Sequence, residues 1–93
     1  MNEKAKATRK AARVLISFLL RSKRDFKVGY SPHSESIYLE IRMQSTASVF
    51  GDPRFRISGH KCNWDGAKGH ELIIDSSADI VTQTKDWIKQ IFN

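Results

Sequence analysis

Between residues 3 and 23, apolar and basic side chains recur with the period of an α-helix, on opposite sides of it. At about 100° per residue, Ala7, Ala11, Ala12, Leu15, Phe18 and Leu19 gather on one broad face centred near Leu15. Lys6, Arg9, Lys10, Arg13, Ser17, Arg21 and Arg24 fall within roughly 120° on the other side. A chain with such a segment must supply a surface for the apolar face to cover and must leave the basic face outside.

The basic face dominates the electrostatics of the whole chain. Nine of the sixteen Lys and Arg residues lie in positions 1–27, accompanied only by Glu3 and Asp25. The rest of the sequence carries seven bases against eight acids, so the net charge of +6 is a local property. Ordinary surface helices interleave the two signs, because opposite charges at i, i+4 contribute about 0.2–0.5 kcal/mol per pair. Here Lys6–Lys10, Arg9–Arg13, Lys6–Arg9, Lys10–Arg13 and Arg21–Arg24 are all like-charge neighbours, each disfavouring the free helix by a similar amount. A cluster kept at that cost is expected to face something anionic, with nucleic acid ahead of an acidic protein or a lipid surface.

Ninety-three residues, 40 % apolar and 28 % charged, fit one small folded domain spanning residues 1–93. A single cysteine, Cys62, allows no intrachain disulfide, so a reducing, cytoplasmic setting is expected. The apolar run Val14 to Leu20 is too short to span a bilayer. Arg21-Ser22-Lys23-Arg24 follows it with no small-residue cleavage site, which disfavours a secretion signal. No membrane contact is expected either, because the core needs the apolar side of the helix.

Period-two alternation predicts strands after the helix. Phe26, Val28 and Tyr30 alternate with Lys27 and Gly29, and Ser31-Pro32-His33-Ser34 has turn chemistry. Ile37, Leu39, Ile41 and Met43 alternate with Tyr38, Glu40 and Arg42, the clearest half-buried strand in the chain. Residues 44–53 read as a loop that carries Phe50 inward. Phe55 and Ile57 mark a third strand, which Cys62 and Trp64 extend or follow; Asp65-Gly66 begins a turn, and residues 70–75 form a last strand around Leu72 and Ile74. A second helix is predicted over 77–92, started by Ser76 and Asp79, with Ile80, Thr84, Trp87, Ile88 and Ile91 on its core face. The expected fold is α+β: helix, three or four antiparallel strands, helix, with both helices on one face of the sheet.

The candidate nucleic-acid contacts are Lys6, Arg9, Lys10, Arg13, Arg21 and Arg24, with Arg54 and Arg56 secondary. Arg42, Arg54 and Arg56 stand on the polar side of the predicted strands and would add a second positive zone. Tyr38 shares that side, as a cross-strand packing partner or a platform for a base. Trp64, before the Asp-Gly turn, is the candidate anchor for a protein partner.

The helix–three strands–helix order resembles the double-stranded RNA-binding domain in topology. That family places a basic cluster at the start of its second helix, whereas Ser76-Ser77-Ala78-Asp79 carries an acid and no base precedes Lys85. The aromatic signatures of the RRM family are absent. In size, charge and two-helix format the chain is also similar to small, basic, phage-encoded anti-defence proteins, including the TifA-type inhibitors of the ToxN ribonuclease. That resemblance implies a protein that binds RNA and a toxin together and blocks RNA cleavage.

Enzymatic signals are weak. His60, Cys62 and His70, with Asp65, match no common zinc spacing, so neither a metal nor another cofactor is expected. His60 and His70 offer the ingredients of acid–base phosphodiester cleavage, as any basic domain with three histidines would. No nucleophile elbow, phosphate-cradling glycine loop or carboxylate pair is present. The expectation is a non-enzymatic nucleic-acid-binding protein, RNA before DNA. The alternative is an inhibitor or adaptor that docks its basic face on an acidic protein. Open strand edges in a short meander would let two copies pair as a homodimer.

Overall fold

The computed structural model describes residues 2–43, 52–61 and 69–92. In chain order they form helix α1 (Glu3–Arg21), strands β1 (Phe26–Ser31), β2 (Ser36–Ile41), β3 (Arg54–Ser58) and β4 (His70–Ile73), and helix α2 (Ile80–Phe92). The expected readings of Phe50, Cys62, Trp64 and the Asp65-Gly66 turn fall outside the described residues.

Both ends of α1 follow from local chemistry. The Asn2 side chain accepts a 2.7 Å hydrogen bond from the Ala5 amide, satisfying a donor that the first turn leaves free. At the other end the Arg24 and Lys23 amides donate to the Leu19 and Leu20 carbonyls, and Lys23 adopts φ 56°. That is the Schellman arrangement, with lysine where glycine is usual.

The four strands form one sheet in the order β1-β2-β3-β4. β1 to β3 make the expected antiparallel meander, with Val28 opposite Leu39 and Leu39 opposite Phe55. β4 departs from an all-antiparallel reading, because it runs parallel to β3, with Phe55 opposite His70 and Ile57 opposite Leu72. The sheet is therefore mixed. Being parallel, β4 begins at the same end of the sheet as β3, a relation that short-range alternation does not encode.

Alternation sends Ile37, Leu39, Ile41, Phe55 and Ile57 to one face, and all five are buried. Helix α1 covers them with Ala7, Ala11, Ala12, Leu15 and Leu19. Helix α2 joins the same core through Ile80, Trp87 and Ile88. Phe55 is its aromatic centre: Trp87 meets it edge-on at 6.0 Å, and Phe92 stacks on it at 5.9 Å while touching Phe18 at 5.1 Å. The first turn of α1 comes very close to the end of β3 at Gly59, where a Cβ would lie 2.8 Å from the Lys4 Cβ.

Helix α2 starts three residues later than the sequence predicts. Asp79 is its cap, accepting from the Val81 amide at 3.3 Å and the Thr82 hydroxyl at 2.6 Å. Ser76 is not the capping residue; instead Asp75 folds the preceding turn by accepting from the Ser77 hydroxyl and amide. Those Ser77 bonds hold the Asp75 carboxyl below its ordinary pKa, and the Thr82 hydroxyl, assisted by Lys10, does the same for Asp79. A carboxyl lowered by folding adds stability that is present above its ordinary pKa of 3.8 and is lost as pH falls through the folded value.

Two predictions follow from these contacts. Gly59→Ala forces the Lys4 turn away from β3 and should cost about 1–3 kcal/mol, read as a lower urea midpoint. Asp79→Asn keeps a capping oxygen but removes the titrating charge. The fall in urea midpoint between about pH 4 and pH 2 should become shallower than in the wild type.

Candidate nucleic-acid interface

Because α1 lays its apolar side on β2 and β3, its opposite side forms an outer crest. Lys6, Arg9, Lys10, Arg13 and Arg21 all lie exposed along it. Lys6 to Arg21 spans roughly 22 Å at 1.5 Å per residue. Among the described residues, none of the five joins an ion pair. The charge of Lys10 helps to lower the Asp79 pKa, though the two form no ion pair. Arg9 rests its guanidinium 5.8 Å from the Tyr30 ring centroid.

The other three predicted arginines have different work, and Arg24 is the first correction. Its Nη1 donates to the Arg42 and Met43 carbonyls at 3.2 and 3.3 Å, and its guanidinium lies 5.2 Å from the Phe92 ring centroid. It ties the end of α1 to the end of β2 and to α2, so it is a brace rather than a phosphate contact.

Arg56 is the second correction. Its side chain is 0 % exposed. Its Nε donates to Ser36 Oγ at 3.1 Å, its Nη1 to Glu71 Oε2 at 2.9 Å, and its Nη2 to the His60 carbonyl at 2.7 Å. All three nitrogens are used inside the protein. Burying an arginine is costly unless it is paired and hydrogen-bonded, and here it is both.

The expected second positive zone does not form. Tyr38, Arg54 and Arg56 alternate with the core residues, so they occupy the sheet face away from both helices. Arg54 is exposed but lies 3.7 Å from Glu40, and Arg42 lies 3.7 Å from Asp25. Each arginine there has an acid beside it. Tyr38 is half-buried on the same far side, so it shares no surface with the crest of α1.

One feature near the crest was not legible beforehand. Val28 and Tyr30 occupy core-facing positions of β1, yet each is 51 % exposed. β1 is the edge strand, and α1 sits over β2 and β3. An open groove of about 370 Å³ is left between α1 and β1. The alternation of residues 26–30 places Tyr30 on the correct face, but only the strand order shows that the face is uncovered there.

The histidines are separate from one another in role. His60 lies 3.6 Å from Glu35, which also accepts from the Asn2 side chain, and His70 stacks on Phe55 at 4.8 Å. Among the described residues no group of three His, Cys, Asp or Glu side chains converges as a metal site would require. Cys62, Asp65 and Trp64 lie outside the described residues. No described helix is long and apolar enough to cross a membrane.

The contrast between the arginines of β3 is testable. Arg56→Ala strands Glu71 and empties a buried space, so it should lose about 3 kcal/mol in urea denaturation. Arg54→Ala should stay within about 0.5 kcal/mol of wild type. Compared with protein families, curated proteins and solved structures, the chain matches no family model, no curated protein and no solved structure.

Proposed function

We propose that this protein is a non-enzymatic nucleic-acid-binding protein, with RNA ahead of DNA, whose helix α1 lies along a phosphate backbone. The observation that carries this reading is the crest of Lys6, Arg9, Lys10, Arg13 and Arg21, exposed on one side of one helix and joined in no ion pair among the described residues. Five cations spread along one side of a helix match a run of phosphates far better than an isolated anion. Contacts of this kind supply affinity that depends little on sequence and falls with salt, as bound counterions are displaced. Arg24, Arg54 and Arg56 have no part in this surface. A protein that covers RNA in this manner would act by shielding the strand, in the cytoplasm, and an RNA-dependent inhibitor of a ribonuclease is one form the role would take.

Fluorescence anisotropy against labelled RNA and DNA over a salt series tests the reading. Five phosphate contacts give a log–log salt slope of about −4 to −5 on duplex and about −3 to −4 on a single strand. Changing Lys6, Arg9, Lys10 and Arg13 together to Gln should remove about four contacts, lowering the slope to near −1. The same change relieves like-charge repulsion, so the variant should remain folded by circular dichroism. A folded variant that binds every strand as tightly as the wild type would overturn the assignment.

A further inference from the structure

The groove between α1 and β1 lies directly beside the proposed phosphate contacts. Its floor is Ala12, Ile16 and Ile37, its outer wall is Val28 and Tyr30, and Arg9 and Arg13 form its rim. Tyr30 and Val28, each half exposed, are among the largest apolar surfaces the described residues leave uncovered. The two ends of the chemistry differ sharply: a rim bearing only positive charge encloses a floor with no charged group. A phosphate fits the rim and is rejected by the floor, while a flat apolar ring fits the floor and leaves the charge of the rim unneutralised. A nucleotide carries both parts.

We infer that this groove takes an unpaired base of a single-stranded nucleic acid, stacked with Tyr30, while Arg9 and Arg13 hold the flanking phosphates. The inference rests on the reading of α1 as a phosphate-binding helix and narrows its substrate to single strands. Aromatic platforms next to a cationic track are how proteins hold single strands without reading sequence, since every base offers a π-face. The bases of a duplex are stacked inside it and out of Tyr30's reach, so a duplex meets the crest alone. The Arg9 guanidinium lies over the Tyr30 ring, 5.8 Å from its centroid, so a base that stacks on that face takes the place of the guanidinium, which turns to the flanking phosphate. A second copy of the chain is a poorer occupant, because pairing two β1 edges would bring two cationic crests toward each other.

The experiment uses the full chain and three RNA probes of equal length: a single strand, the same strand with abasic sugars, and its duplex. Anisotropy is read at one salt concentration for the wild type, Tyr30→Leu and Tyr30→Phe. Tyr30→Leu should weaken binding of the single strand by about five- to a hundredfold and leave the duplex unchanged. Tyr30→Phe should retain most of the affinity, and the abasic strand should bind the wild type as weakly as the intact strand binds Tyr30→Leu. Equal single-strand affinity for wild type and Tyr30→Leu overturns the groove assignment while leaving the crest standing. Absence of salt-dependent binding to any probe overturns both. A dimer in light scattering that Tyr30→Leu dissolves gives the groove to a second copy and overturns the inference as well.

Discussion

A helix has two long sides, and α1 can bury only one of them. Leu15 and Leu19 are fully enclosed against the sheet, and burying two such side chains is worth roughly 3–6 kcal/mol. The four like-charge neighbour pairs within α1, on the opposite side, oppose helix formation by about 0.8–2 kcal/mol in all. Burial therefore wins, but only if the apolar side faces inward along its whole length. That single constraint fixes the rotation of α1 about its own axis. Once the rotation is fixed, Lys6, Arg9, Lys10, Arg13 and Arg21 can only point outward, on one side about 120° wide.

The sheet sorts the remaining charge in a complementary way. Its helix-covered face holds Leu39, Ile41, Phe55 and Ile57, with no charged residue among them. Its other face carries Arg54 and Arg56, each beside a carboxylate. Positive charge on that side is consumed in holding strands together, as the three-way bonding of Arg56 to Ser36, Glu71 and the His60 carbonyl shows. The positive charge of the chain is thereby concentrated on the outer side of α1, where the five exposed bases join no ion pair among the described residues. The edge position of β1 then sets an apolar groove beside that charge, giving a surface with both a phosphate-like and a base-like complement.

Much of this was legible in the residues. The period of α1, the alternation of β2 and the phase of Trp87 and Ile88 in α2 each reported a buried side that the fold contains. Other features were hidden because they depend on partners distant in sequence. Arg54 and Arg56 look alike as letters two positions apart, and share a face of β3. One is exposed and the other sealed because Glu71, Ser36 and His60 converge on the second. Arg24 continues the helical stripe on paper, but the left-handed turn at Lys23 diverts it toward Phe92. Tyr30 reads as core by alternation and is half open because its strand ends the sheet.

The amino-acid order alone determined which side chains share a face of each element, since helical and extended backbones have fixed periods that need only near neighbours. It likewise determined that the positive charge would be lopsided. Tertiary structure alone decided which faces meet a partner: that β4 lies parallel to β3, that Arg56 is enclosed, and that Val28 and Tyr30 are left uncovered. Exposure is a property of what packs against a residue, and that depends on contacts between segments tens of residues apart.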